Sequence, residues 1–577
     1  MMPTFARTSA PLALLIGAAF PSHATQQLTC DSLLGSFVEG AMITTAQLNA
    51  ASATLPEHCE VVGVINSRTG IDGQPYAIKL HLRMPTAWNE RFFYQGGGGT
   101  DGNLGNADAA QIQQGYAVVS TDSGHDNTVN NTALAGSFQF GFDPQARSDY
   151  GYNGPARVVI AAKAISKKFY RKPAKYSYFM GCSEGGREGL MFSQRFPDYF
   201  DGIVAGNPGM DLPKAAVAEA WDSQAFAAAA RTSTPFGNPD LASSFTPAEL
   251  GVVGDAILQA CDAQDGVVDG MVFNPAACRF DPQTLGPAGT SALSGAQVTA
   301  LEKVFGGAKN SHGRSLYAGW YWDPGIAAPG WRIWKIGPLL PAPGNTALNT
   351  TLGGGALPFI FTTPPNSATG GTALQGSSVI TTAGPSPAFS GLNDAFVPWV
   401  LGFNMDTDAP KIFARATFAE SAMDFMGTSS TDYRRFRHND GKLIVYSGQA
   451  DPVFSTKYHI KWYQNLVDDN GGLHRTQDFA RLYVVPGMNH CGGGPATSQF
   501  DAFSALVKWV ERGKAPDSLL GTAGADTPWP GRTRPLCAYP EHARYKGHGS
   551  IEDAANFVCV GPREGHDHDP HHPHDDD

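Results

Sequence analysis

Strand-like and helix-like hydrophobic periods alternate at both ends of this chain and fade between them. Residues 76–83 alternate apolar and polar, which predicts an outer antiparallel strand. Residues 91–95 form a short apolar strand that runs directly into four glycines at 96–99. Residues 115–121 read as another buried strand, 155–170 as an amphipathic helix, 176–180 as a strand, 184–196 as the next helix and 202–208 as a further strand-like piece. This order predicts an α/β chain with a mostly parallel sheet. The period then dissolves in a stretch rich in Gly, Pro, Ser, Thr and aromatics. It returns with a strand at 442–446, a helix at 456–467, a strand at 481–485 and a helix at 499–511. A structureless stretch of that length is no plain loop. Residues 211–434 are therefore expected to form a lid domain inserted into a core made of 25–210 and 435–565. No internal repeat is present.

Composition narrows the class. With 577 residues and 42% hydrophobic content the chain has ample material for a large core. Only 16% of residues are charged, while Gly (67) and Pro (41) are frequent, which suits long ordered loops better than helical bundles. A net charge of -11 argues against nucleic acid or an anionic membrane as partner. Residues 1–24 read as a signal peptide: Arg7, an apolar run at 10–20, then Ser22-His23-Ala24 as a cleavage site. That run is too short to span a bilayer, and no second run of spanning length follows. Cys30 lacks the small-residue context of a lipoprotein cysteine, so a soluble protein, secreted or periplasmic, is expected. The tail at 566–577, almost entirely His, Asp and Pro, is expected to be disordered.

All eight cysteines follow the signal, and an even number in an exported chain favours four disulfides. Locality suggests Cys30 with Cys59, Cys261 with Cys278 and Cys537 with Cys559. The remainder, Cys182 and Cys491, carries chemical meaning because Ser183 follows one and His490 precedes the other. Gly181-Cys182-Ser183-Glu184-Gly185 fits the strand-to-helix elbow G-x-S-x-G, and it falls between an expected strand and an expected helix. Alone the motif also suits a structural serine, since glycine is so common here. A nucleophilic serine needs a base, and the base needs a carboxylate. In such elbows the chain order is Ser, acid, His. Asp451 and His490 both follow expected strands, where α/β sites gather, although Asp451 before Pro452 also suits a plain turn. A disulfide holds its α carbons about 4.4–6.8 Å apart, so this one would pin Ser183 and His490 within hydrogen-bond reach. The oxyanion of a tetrahedral intermediate would take one donor from the amide of Glu184 and a second from residues 96–99. A phosphate-cradling loop is the competing reading of those glycines, but no Gly-Lys-Ser/Thr follows them.

Gly-Cys-Ser-Glu-Gly-Gly at 181–186, Gln-Ala-Asp at 449–451 and Asn-His-Cys at 489–491 resemble the tannase and feruloyl esterase family of α/β-hydrolases. The resemblance covers nearly the whole mature chain. It implies an α/β-hydrolase fold with a large lid, a triad of Ser183, Asp451 and His490, the Cys182–Cys491 bond, and Gly98 as the second oxyanion donor. Residues 261–271 resemble the family's calcium loop, with Asp262, Asp265 and Asp269 binding through side chains and Val267 and Met271 through carbonyls. The spacing is not that of an EF-hand, and without the resemblance these would read as Asp-Gly turns. No organic cofactor is implied.

The activity implied is that of an exported serine carboxylic-ester hydrolase acting through an acyl-enzyme on small aromatic-acid esters of the feruloyl, gallate or terephthalate type. Trp320, Tyr321, Trp322, Trp331, Trp334, Phe396 and Trp399 offer flat surfaces for an aromatic acyl group, though core packing suits most of them equally. Family members that cleave a terephthalate monoester grip its free carboxylate with a lid arginine. Residues 336–410 contain no Lys or Arg, which leaves Lys411 and Arg415 as candidates for that grip, or a neutral aryl ester as substrate. Two other classes remain: a non-catalytic calcium-dependent binding protein on the same scaffold, and a metal-dependent hydrolase using the His-rich tail. Nothing in the sequence addresses oligomeric state.

Overall fold

Short strands that are apolar on both faces, Arg91–Gln95, Ala117–Thr121, Tyr176–Cys182, Gly202–Gly206, Lys442–Gly448 and Ala480–Val485, pair in parallel within one ten-stranded sheet. Such strands need cover on both sides. Phe92 and Tyr94 enter one apolar layer, shared with the helices Gly154–Tyr170, Glu184–Arg195 and Thr456–Asp469. Phe93, between them, enters the opposite layer with Phe503, Leu506 and Trp509 of the helix Ala502–Arg512. The computed structural model describes residues 28–132, 135–235, 237–338, 347–366, 380–381, 388–389, 396–416 and 418–561. The expected signal peptide at 1–24 and the His/Asp tail at 566–577 lie outside the described residues.

The other side of the sheet is antiparallel. Phe37–Val38, Ala41–Asn49, His58–Thr69 and Pro75–Pro85 follow in order, and the last pairs with Ala117–Thr121. The strand expected at 76–83 is therefore interior and not at the edge. Val61, Val62, Val64 and Ile65 give His58–Thr69 apolar residues on both faces, which hides the alternation a half-buried strand would show.

Between Gly206 and Lys442 the described residues add no strand to this sheet. Instead it folds into helices, chiefly Leu212–Ala228, Pro247–Cys261 and Gly295–Phe305, over an apolar cluster that takes in Phe226, Phe245, Leu301 and Trp331. Leu212–Ala228 is alanine-rich and buried on nearly every side, so no polar stripe marks it in the sequence. Two hairpins, Ser518–Thr522 with Thr533–Cys537 and His542–Tyr545 with Phe557–Val560, close the chain beyond the expected elements. Four disulfides form with the expected partners, at Cα separations of 5.5 Å for Cys30–Cys59, 6.0 Å for Cys182–Cys491, 5.1 Å for Cys261–Cys278 and 5.7 Å for Cys537–Cys559. Among the described residues no helix is long and apolar enough to cross a membrane.

Candidate active site

The parallel strands deliver Gly96, Ser183, Asn207, Asp451 and His490 at or just beyond their C-terminal ends. Ser183 sits at φ 66°, ψ -122°, a backbone conformation imposed by the turn from strand to helix. Two glycines make this turn possible. A Cβ on Gly181 would lie 2.5 Å from the Gly185 carbonyl carbon, and one on Gly185 would lie 2.7 Å from the Gly97 oxygen.

The three residues expected to act together are in one hydrogen-bonded line. Ser183 Oγ is 2.9 Å from His490 Nε2, and His490 Nδ1 is 3.0 and 3.1 Å from the two Asp451 carboxylate oxygens. Asp451 is fully buried and accepts further hydrogen bonds from Asn207 Nδ2, the Val453 amide (2.7 Å) and the Phe454 amide (3.2 Å). Burial alone would raise its pKa. The facing His490 and these donors outweigh burial and hold the carboxyl below its ordinary range. His459 lies close by but is no second base: both ring nitrogens are tied, to Ser447 Oγ and the Pro208 carbonyl, and burial pushes its pKa down to about 4.

Each of these loops is braced. The Cys182–Cys491 bond joins the residue before Ser183 to the residue after His490. Asn489 accepts from the Trp331 amide (3.1 Å) and donates to the carbonyls of Gly325 (3.2 Å) and Ala450 (3.3 Å). Trp320 Nε1 donates to the Asp451 carbonyl (2.9 Å), and Asp323 accepts from Gln449 Nε2 (2.8 Å) and the Gly487 amide (3.0 Å). The insert thus holds both the acid loop and the histidine loop from outside the sheet. Asn489 belongs to the Asn-His-Cys motif, but Asn207 and Asp323 have no motif of their own. For Asn207 the available signal was a polar residue just past a buried strand, which many loops share; Asp323 follows no strand of the sheet and carries none.

For the oxyanion, Glu184 is the first residue of its helix, so its amide has no acceptor within the helix. Gly98 differs from expectation: its N–H already donates to Asp101 Oδ1 (2.9 Å), while Gly97 donates to Glu188 Oε2 (2.9 Å).

Of the aromatics singled out in the insert, Trp334 meets the site, edge-on to His490 at 5.0 Å; Phe454 is edge-on to the same ring at 5.4 Å. Trp320 and Trp331 are core residues, Trp322 stacks on Phe305, Tyr321 lines a separate hollow with Tyr539, and Trp399 packs on Phe403. The Phe396 side chain lies outside the described residues. Arg415 pairs bidentately with Asp424 (2.8 and 3.1 Å), and Lys411 with Asp408 (2.7 Å). Neither cation is free to grip a substrate carboxylate without giving up that partner.

In the 262–271 loop the carboxylates are buried and turned inward. Asp262 accepts from the amides of Asp269 and Gly270, Asp265 from Val267 and Phe273, and Asp269 from Met271 and from Arg534. Asp269 alone has a cationic partner among the described residues. Burial, then the charges of Asp269 and Asp262, push Asp265 up to about 8. Among the described residues no three His, Cys, Asp or Glu side chains are gathered as a ready metal shell. The donor set fits a hard cation by charge and by oxygen chemistry, and the Val267 and Met271 carbonyls would have to complete it.

A profile of the family described as tannase and feruloyl esterase matches residues 59–346 and 395–560. Mono(2-hydroxyethyl) terephthalate hydrolase of Piscinibacter sakaiensis is 42% identical over 90% of this chain and 87% of its own length. A probable feruloyl esterase of Arthroderma benhamiae is 27% identical over 95% of this chain and 97% of its own length. Feruloyl esterase B of Aspergillus oryzae superposes with a TM-score of 0.70 at 22% identity, covering 92% of this chain and 99% of that one, a likeness of fold.

Proposed function

Because this chain belongs to the tannase and feruloyl esterase family of carboxylic-ester hydrolases, we propose that it cleaves small aromatic-acid esters by a Ser183–His490–Asp451 triad. The observation that carries this reading is the unbroken line from Ser183 Oγ through His490 to a buried, ionised Asp451. Ser183 attacks the ester carbonyl while His490 Nε2 takes its proton and then passes it to the leaving alcohol. Asp451 holds the imidazole tautomer with Nδ1 protonated and balances the imidazolium. Water, activated by the same histidine, then releases the acid from the acyl-enzyme. Glu184 supplies one oxyanion donor. Gly98 can supply another only by sharing the N–H that it gives to Asp101.

A serine-directed phosphonate should label the Ser183 peptide stoichiometrically and stop turnover. Absence of label from active enzyme would remove the triad reading. Ethyl ferulate, methyl gallate and mono(2-hydroxyethyl) terephthalate assayed side by side rank the acyl groups. With Arg415 and Lys411 engaged elsewhere, the neutral aryl esters are expected to be preferred over the terephthalate monoester. The 42% identical hydrolase favours the opposite ranking, so this comparison is decisive. Trp334→Ala should raise KM for aromatic acyl esters roughly three- to tenfold, the worth of one aromatic contact, with short aliphatic acyl esters little changed. Equal effects on both substrates would show that Trp334 supports His490 and does not line the acyl site.

Residues 211–434 act in this reading as a lid, and calcium in the 262–271 loop as a structural ion held by Asp262, Asp265, Asp269 and the carbonyls of Val267 and Met271. Bound cation would supply the charge that Asp262 and Asp265 lack. At a hundredfold excess over Kd it would add about 2.7 kcal/mol. Calcium added to chelator-stripped protein should raise the melting temperature by several degrees, and Asp265→Asn should abolish that rise. A melting temperature indifferent to calcium would refute the site. Four disulfides support an exported protein, secreted or periplasmic, with residues 1–24 as its signal.

A further inference from the structure

The glycine run in front of the nucleophile is gripped from beneath by two acids that the catalysis above does not use. Glu188 Oε2 accepts from the Gly97 amide and Asp101 Oδ1 from the Gly98 amide, each at 2.9 Å. The grips fall on consecutive residues but come from different elements: Glu188 from the nucleophile helix Glu184–Arg195, Asp101 from the loop that follows the run. Both acids are buried, Glu188 at 0% and Asp101 at 6% exposure. Packing leaves no slack, since a Cβ on Gly97 would lie 2.0 Å from Asp101 Oδ1.

Charge does not balance here. Glu184, Glu188 and Asp101 are three buried acids, and the one cation acting on all of them is Arg187, which pairs with Glu184 and donates its Nη1 to the Gly151 carbonyl. Tyr94 on Arg91–Gln95, Ser123 after Ala117–Thr121, and Tyr150 before Gly154–Tyr170 also face the pair, and none of them is cationic. Glu188 Oε1 accepts from no donor among the described residues, and Asp101 Oδ2 has only the Ser123 hydroxyl beside it. Burial first raises the proton affinity of both carboxyls, and the charge of Asp101 raises Glu188 further. Two neighbouring carboxylates in so dry a place do not both stay ionised.

We infer that Asp101 and Glu188 are positioning residues for the esterase reaction: reaching from different elements, they hold the amides of Gly98 and Gly97 and so fix where the glycine run stands relative to Ser183. The inference rests on reading residues 96–99 as the oxyanion loop. Glu188→Gln keeps a carbonyl for the Gly97 amide. Its kcat stays within about threefold of wild type. Glu188→Ala leaves Gly97 ungripped and Asp101 alone. It lowers kcat by about 10²-fold, the effect of a misplacement of about 1 Å at the reacting centre, with KM within about threefold.

The test measures kcat and KM across pH for the full disulfide-bonded chain and both variants, with phosphonate labelling of Ser183 alongside. Wild-type kcat in Glu188→Ala, a Gln variant as impaired as the Ala variant, or a loss confined to KM would each overturn the inference. Should Glu188→Ala not fold, Asp101→Ala and Asp101→Asn decide: the alanine variant must lose kcat about 10²-fold, the asparagine variant, which keeps a carbonyl for the Gly98 amide, must stay within about threefold of wild type, and equal kcat in the two overturns the idea. Failure of wild type to label at Ser183 would instead count against the triad itself, so the two failures are distinguishable.

Discussion

Ser183→Ala is expected to lower kcat by about 10⁵- to 10⁶-fold on any ester the wild type cleaves, with KM and melting temperature nearly unchanged. The hydroxyl has one hydrogen-bond partner, His490 Nε2, and that ring remains held by Asp451 through its other nitrogen. Removing the hydroxyl therefore leaves no buried donor stranded elsewhere. Alanine has to adopt the same φ of 66°, so the strain of the elbow is carried over and not newly created. Substrate should still bind, because the acyl site and the oxyanion amides are untouched. The measurement is a single-turnover assay on ethyl ferulate beside a thermal melt. A variant within tenfold of wild type would mean that Ser183 is not the nucleophile, and would revive the reading of a binding protein on a hydrolase scaffold.

The site could be read before the fold because its chemistry sits in short words of sequence. Gly181 to Gly185 encode the elbow through two positions where any side chain would collide, and a cysteine beside both Ser183 and His490 encodes their proximity. The alternation of strands and helices gave six parallel strands almost to the residue, since their apolar runs are short and bounded by glycine. Other parts carry no such mark. His58–Thr69 is apolar on both faces, and Leu212–Ala228 is buried all round, so neither shows a period. The grip of Asp101 on Gly98 and of Asp323 on Gly487 are single tertiary contacts between loops, and nothing in local spacing announces them. At Gly98 the glycine was visible in the sequence, while the bond its amide makes to Asp101 was not.

Removing the Cys182–Cys491 bond, as a Cys182→Ala/Cys491→Ala double variant, is expected to lower kcat about 10²-fold in protein that is still folded. A misplacement of about 1 Å between reacting groups has that effect. The histidine loop has little else to stiffen it after His490: Cys491, Gly492, Gly493 and Gly494 all have positive φ, and three of the four are glycine. Before His490, Asn489 keeps its bonds to Trp331, Gly325 and Ala450, so the loop should stay near its place while losing its aim. Stability should fall too, by about 2–5 kcal/mol as for other native disulfides, and this must be separated from the catalytic loss. Cys30→Ala/Cys59→Ala supplies the control, because that bond ties Cys30 to the antiparallel side of the sheet, away from the triad loops. It should lower the melting temperature comparably and leave kcat within about twofold. If both double variants lose stability and neither loses turnover, the Asn489 contacts alone aim His490. If both lose turnover together, the effect is global softening and not alignment of base and nucleophile. Only a kcat loss confined to the 182–491 pair, measured well below both melting temperatures, supports a bond whose role is to hold two distant segments of chain in catalytic register.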